Sequence, residues 1–484
     1  MLHYKILPKK ELGTIDEKIY GQFIEHFHRI VYGGIYDPAS PFADENGMRG
    51  DVIEALKKIK VPVIRWPGGC FVSCYDWKKG IGKRTPYYDK AWRVEESNEF
   101  GTDEFMDFCE KIGAEAYICA NAGTGTPEDI SDWVEYCNLK SEGIWAKKRI
   151  ENGHSKPYSV KYWSIGNENY GDWEMGAKSP IEWGRYVKEA AKMMKRVDPR
   201  VEIMAASIVN LEWNIELLKE AGDMIDWISI HGYWDPLWQN ENLSGYDKVM
   251  QQLGSIDDQI KQAESYINIF GYSDKIKIAF DEWNLRGWHH PNIHTGFGYS
   301  TGEYIKPRDL NDINNKYTVT DAVFSAAFLN TCIRHADTVK MANFAPTVNV
   351  RGAIFTHKDG IVLRPTYHVF DMFANDLGLK YIDSYIEENN EEIDAVSTVR
   401  ADGAIAVSAI NKDAEKTSKM KIAVEGCDIK SAVIKTLNGA SVDSYNDIGK
   451  ENDVSIKQKD IKPENGMLEI ELGAHSVNVI ILDQ

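Results

Sequence analysis

The sequence predicts an α/β architecture: a (β/α)8 TIM barrel with an accessory antiparallel β-sandwich. Three observations predict it. Eight short apolar or β-branched runs recur through residues 19–346, with helix-like stretches between them. Polar residues gather at the C-terminal ends of those runs, the face on which such a barrel carries its chemistry. From residue 376 onward, alternating apolar and polar residues take over, broken by Gly, Asn and Asp turns.

The elements follow in chain order. Residues 1–18 contain His3-Tyr4-Lys5-Ile6-Leu7, a strand expected to join the C-terminal sandwich, because the barrel starts only at Ile19. The barrel is assigned to 19–375, with strands near 19–25, 61–66, 115–121, 160–168, 201–207, 226–233, 276–283 and 338–346. Helices lie between them, as at Asp51–Lys60, where Val52, Ile53, Ala55, Leu56 and Ile59 share one face, and at Pro180–Val197. A doubly wound sheet would want a Gly-rich phosphate turn. Gly123-Thr124-Gly125 echoes one weakly and is read as a tight loop at the barrel mouth. Residues 290–316 are rich in Gly, Asn and Asp without periodicity, and are read as a long loop over the active face. The sandwich, 376–484, holds the alternating runs Ile405–Val407, Met420–Val424, Ala432–Ile434, Met467–Leu472 and Val477–Ile481.

Composition narrows the function. A net charge of −18 over 484 residues repels phosphate backbones and anionic lipid, so nucleic acid and membrane partners are disfavoured. No stretch reads as a signal peptide or a membrane span, and the seven cysteines show no disulfide-framework spacing. A cytoplasmic protein is expected. Cys70 and Cys74 lack a second pair to complete a zinc site, and the cluster His289, His290 and His294 lacks metalloprotease spacing. No metal and no cofactor is expected.

Two runs end in glutamate. Tyr162-Trp163-Ser164-Ile165-Gly166-Asn167-Glu168 and Ile276-Lys277-Ile278-Ala279-Phe280-Asp281-Glu282 each read as a buried strand stopping at an acid. Such a carboxylate is costly unless it is paired or used. Two together suit the acid/base and nucleophile of a retaining glycosidase. Glu25, Arg65, Asn121, His231, Tyr233 and Asn343 stand at other strand ends.

Specific motifs then accumulate: Tyr20-Gly21-Gln22-Phe23-Ile24-Glu25-His26, Gly33-Gly34-Ile35-Tyr36, Arg65-Trp66-Pro67-Gly68-Gly69, Phe100-Gly101-Thr102-Asp103-Glu104-Phe105, Gly166-Asn167-Glu168 and Asp281-Glu282-Trp283-Asn284. In order and in chain length the sequence resembles the α-L-arabinofuranosidases of glycoside hydrolase family 51. The resemblance implies a barrel with a β-sandwich built from the C-terminal part and the N-terminal strand. It implies a retaining mechanism without metal, release of terminal arabinofuranosyl residues from arabino-oligosaccharides, and a homo-oligomer, commonly a hexamer. It makes Glu168 the acid/base and Glu282 the nucleophile. Glu25, Arg65, Asn167, His231 and Tyr233 match motif positions. Cys70, Trp92, Asn121 and Trp288 complete the expected sugar-contact set.

Three places depart from the family's usual pattern. Cys70 follows Gly68-Gly69 where Asn is common. Pro346-Thr347 stands where a Gln is usual. Leu285-Arg286-Gly287-Trp288 follows the second acid where a Val-Trp pair is usual. Hydrogen-bonding sites discriminate strongly between substrates. Two other readings therefore stay open: the same mechanism on a β-xyloside, galactofuranoside or β-glucan, and a silent carbohydrate-binding protein.

Overall fold

Eight parallel strands close into a barrel, and a nine-stranded sheet stands beside it. The computed structural model describes residues 1–237, 242–288 and 312–484. After β1 (Leu2–Thr14) come the barrel strands β2 (Gly21–Phe23), β3 (Val63–Trp66), β4 (Glu115–Ala120), β5 (Tyr162–Ile165), β6 (Glu202–Ala206), β7 (Trp227–Leu237), β8 (Lys277–Trp288) and β9 (Val339–Phe344). Each pairs with its neighbour in sequence, and β9 returns to β2. Strands β7 and β8 run past their expected ends at 233 and 283 because they continue to pair with each other as far as Leu237 and Trp288.

The helices form where the pattern puts them. Pro180–Val197 starts on a capping box: Ser179 N donates to Glu182 Oε2 at 2.9 Å while the Ser179 hydroxyl faces Glu182 N, and proline opens the first turn. Gly50–Lys58 turns Val52, Ile53, Ala55 and Leu56 inward. The helix Val319–Arg334 is buried on nearly every face, as a helix sandwiched between two layers must be.

Strand alternation builds the barrel interior in layers. Val63, Tyr117, Tyr162, Met204, Trp227, Ala279 and Met341 form one apolar layer. Two residues further along, the same faces carry Arg65, Cys119, Ser164, Ser229, Asp281 and Asn343, all buried. The chemistry rests on this polar layer.

The second sheet uses β1 with β10 (Lys380–Ile386), β11 (Ile393–Val399), β12 (Ile405–Asn411), β13 (Ser418–Val424), β14 (Ser431–Asn438), β15 (Ser455–Ile461), β16 (Leu468–Leu472) and β17 (Ser476–Asp483). Its order is β15-β14-β17-β12-β11-β10-β1-β13-β16. The expected sandwich is present, antiparallel in every pair but one. It is a single sheet folded on itself, and β1 runs parallel to β13 while antiparallel to β10. Met420 and Leu468 near one end share an apolar core with Val407, Ile434 and Ile480 near the other.

Candidate active site

Local backbone geometry sets the two acids. Past β5 the chain turns through Gly166 at φ 71° and Glu168 at φ 46°. A Cβ on Gly166 would stand 2.0 Å from Asn169 Oδ1, so only glycine fits there. In β8 a register shift between Ala279 and Glu282 interrupts the alternation, a bulge that lets neighbouring residues both face the barrel interior. Asp281 and Glu282 therefore both find partners inside.

Glu282 accepts from Tyr233 Oη at 2.6 Å on one oxygen and from Arg65 Nη1 at 2.7 Å on the other. Arg65 also donates from Nη2 to Asn167 Oδ1 at 2.7 Å. Glu168 meets His231 Nδ1 at 2.7 Å and accepts from Trp173 Nε1 at 2.8 Å. An oxygen of Glu168, an oxygen of Glu282 and a nitrogen of His231 all lie within 4.8 Å of one another.

Asp281 lies beneath them. It accepts from Tyr117 Oη and Ser229 Oγ, each at 2.5 Å, with His231 Nε2 at 3.4 Å and Arg65 Nε at 3.5 Å. Burial alone would raise its pKa, but Arg65, His231 and Ser229 outweigh burial and lower it to about 2. The reverse holds for His231: burial opposes its charge, but Glu282, Asp281 and Glu168 raise its pKa to about 10. The imidazole is thus protonated at neutral pH.

Glu25 accepts from Phe71 N at 3.0 Å and Trp92 Nε1 at 3.2 Å. Burial, then the Glu282 charge, push it up to about 7. A Cβ on Gly68, at φ 150°, would meet Glu25 Cγ at 2.3 Å, so the Gly68-Gly69 turn is what admits Glu25. The Cys70 thiol is pushed well up by burial and by Glu174, Glu168 and Glu25 around it.

Other expected contacts fall elsewhere. Asn121 is spent on its own loop: its Nδ2 donates to Tyr75 O and Thr124 Oγ1, and its Oδ1 accepts from the amides of residues 123–125. It braces the Gly123–Gly125 turn rather than joining the carboxyl cluster. Arg286 is buried on Asp321, at 2.9 Å, and on Asp235. The Thr347 hydroxyl is bonded to the Phe23 backbone. Those two departures from the family pattern are therefore structural, and Cys70 alone of the three is set among the acids. Trp288 ends β8, but its side chain, like His289, His290 and His294, lies outside the described residues. Most of the loop expected over 290–316 lies there too.

Two further residues join the site: Arg351, which the sequence offered as either an aglycone contact or a structural ion pair, and Glu174, which no motif marked. Arg351 donates from Nη2 to Tyr233 Oη at 2.9 Å. Glu174, only 4% exposed, accepts from Asn167 Nδ2 at 2.9 Å and Ser73 Oγ at 2.7 Å. Both sit in irregular segments, where no periodicity marks a site.

Cys70, Glu168 and Glu174 form one triplet of ligand-type atoms, and Glu168, His231 and Glu282 form another. In the second triplet Arg65 and His231 already supply positive charge to the carboxyls.

Comparison with known proteins agrees. An α-L-arabinofuranosidase 1 domain model matches residues 55–251, and an α-L-arabinofuranosidase C-terminal domain model matches 281–476. The intracellular exo-α-(1→5)-L-arabinofuranosidase of Halalkalibacterium halodurans is 38% identical over 378 residues, 76% of this chain and 74% of that one. The α-L-arabinofuranosidase C of Emericella nidulans is 33% identical, covering 86% of each. The family 51 α-L-arabinofuranosidase structure from Thermotoga petrophila superposes with a TM-score of 0.90 at 35% identity over 100% of both chains. The barrel and its carboxyl pair define a glycoside hydrolase. The chain belongs to the α-L-arabinofuranosidases of glycoside hydrolase family 51.

Proposed function

We propose that this enzyme releases terminal α-L-arabinofuranosyl residues from arabino-oligosaccharides or arabinoxylo-oligosaccharides by double displacement. One observation carries the reading: oxygens of Glu168 and Glu282 lie within 4.8 Å, each carboxyl held by its own donors. Retaining enzymes hold their carboxyls about 5–5.5 Å apart, too close for an intervening water.

Glu282, steadied by Arg65 and Tyr233, attacks the anomeric carbon. Glu168 gives a proton to the glycosidic oxygen, and the aglycone leaves. Glu168 carries that proton itself in this step, its carboxyl oriented by His231 Nδ1 and Trp173 Nε1. A glycosyl ester on Glu282 results. Glu168, now ionised, takes a proton from water, the water oxygen attacks the anomeric carbon, and the Glu282 carboxylate is regenerated. Asn167, fixed by Arg65, is suited to a sugar 2-hydroxyl. Glu25, with Trp92 behind it, and Cys70 are proposed to contact the glycone, and Trp288 to line the site. Asp281 holds Arg65 and His231 in place.

The relatives named intracellular and seven free cysteines support action inside the cell. A homo-oligomer, a hexamer by family resemblance, and domain boundaries near residues 18 and 375 are proposed on the same footing. Among the described residues no helix is long and apolar enough to cross a membrane.

The test is hydrolysis of aryl α-L-arabinofuranoside, β-D-xyloside, β-D-galactofuranoside and β-D-glucoside. The arabinofuranoside should be fastest, and Glu282→Ala should abolish its turnover. Preference for another glycoside would redirect the substrate assignment. Turnover that survives Glu282→Ala would overturn the mechanism.

A further inference from the structure

We propose that Glu174 is a positioning residue for the reacting pair: it fixes the Asn167 amide, and it shares with Glu168 the protons that general acid catalysis needs. The inference rests on the mechanism above.

The geometry comes from a short loop. Past Glu168 the chain passes through Tyr170 and Trp173 and folds against the segments before and after it. A Cβ on Gly123 would strike Met175 O at 2.2 Å and Ser73 O at 2.5 Å, so loop 121–125 is pressed between residues 70–74 and 170–176. Glu174 enters the site from this contact. Its Oε1 accepts from Asn167 Nδ2 at 2.9 Å, and its Oε2 meets Ser73 Oγ at 2.7 Å. With Asn167 Nδ2 committed to Glu174, Asn167 Oδ1 is left for Arg65, whose other arm holds Glu282. The chain Glu174–Asn167–Arg65–Glu282 thus ties a remote carboxyl to the nucleophile.

A second link runs to the acid. Cys70 Sγ, an oxygen of Glu168 and an oxygen of Glu174 lie within 4.8 Å of one another. Glu174 is 4% exposed and Glu168 half-buried, so a second negative charge in this space is costly. Glu168 and Tyr170 face Glu174 from its own loop, and Cys70 and Cys74 face it from the preceding segment. Burial and then the Glu168 charge push Glu174 up to about 8, against hydrogen bonds from Cys70, Ser73 and Asn167. Glu174 therefore keeps its proton into the neutral range beside Glu168.

Glu174→Gln separates these roles, because the glutamine carbonyl keeps the bond from Asn167 Nδ2, its amide N–H turns to donate to the Ser73 hydroxyl, and the titration is removed. We compare wild type, Glu174→Gln and Glu174→Ala by pH profiles of kcat on an aryl α-L-arabinofuranoside, with melting curves as the folding control. The inference expects Glu174→Gln to keep kcat at its optimum within about threefold. Its alkaline limb should move to lower pH by about one unit, the effect of removing a close like charge. Glu174→Ala should lower kcat by about tenfold or more with KM little changed, since Asn167 loses its anchor for a transition-state contact. An alkaline limb unmoved in Glu174→Gln overturns the proton-sharing role, and wild-type kcat in Glu174→Ala overturns the positioning role. A wild type inactive on every aryl glycoside would instead remove the mechanism and this inference with it.

Discussion

Asp281 and Glu282 are adjacent carboxyls that take different partners. Glu282 faces the cleft with one donor on each oxygen, while Asp281 is buried on Tyr117, Ser229, His231 and Arg65. A carboxyl whose folded pKa is depressed stabilises the fold above its unfolded pKa, near 4, and that support is lost as pH falls through the folded value, about 2. The contribution is on the order of 2 kcal/mol at neutral pH. Asp281→Asn should therefore unfold at lower urea at pH 7, by about 3–5 kcal/mol, because Arg65 and His231 are left buried without their counter-charge. Urea midpoints equal to wild type would refute this. The strand-end acids, Arg65 and His231 were legible because each closes an apolar run. Glu174 was not, since it is brought in by a loop whose path depends on other loops, and Arg351 was legible only as a residue after the eighth strand, with an aglycone contact and a structural ion pair both open. Asn121 ends a run in the same way, yet the Gly123–Gly125 turn consumes its amide.

The element that matters most is the turn after β5. It carries Asn167 and Glu168 on a left-handed backbone that Gly166 makes possible. In Gly166→Ala the new methyl would collide with Asn169 Oδ1 and lie 2.7 Å from the Trp183 ring. The turn must shift, so a loss of about 2 kcal/mol in stability and a large fall in kcat are expected. Melting and steady-state kinetics check both, and a variant with wild-type kcat would show that the turn tolerates the shift. The eight barrel strands could be read from the sequence because strands buried on both faces become continuous apolar runs. The second sheet gave a clean alternation, but alternation says which residues face the core and nothing about which strand lies alongside. The parallel pairing of β1 with β13 was hidden for that reason.

On the scale of the whole molecule, β1 ties the chain's beginning to its end. It occupies an interior place in the second sheet, with Tyr4 and Ile6 buried in that sheet's core. Removing residues 1–14 would open two unpaired edges and expose that core. We expect the truncated chain to aggregate or to melt far below the full chain, as followed by size exclusion and circular dichroism. Wild-type melting would mean that the sheet closes without it. Polar contacts bind the sheet to the helices of the barrel as well: Lys435 meets Asp376, the last residue of the helix Pro365–Asp376, at 2.7 Å, and Asn330 donates to Asp394 at 3.0 Å. Cooperative unfolding of the two parts follows from these contacts and from the helix Val319–Arg334 between them. The measurement that bears most directly on the whole account is trapping of the covalent intermediate. In Glu168→Ala, an activated aryl α-L-arabinofuranoside should still glycosylate the nucleophile, because its leaving group needs little acid assistance, while hydrolysis of the ester lacks its base. Mass spectrometry of the intact chain and its peptides should find one pentosyl unit on the peptide holding Glu282. An adduct on a different carboxyl, or an inverted product with no adduct, would contradict the account.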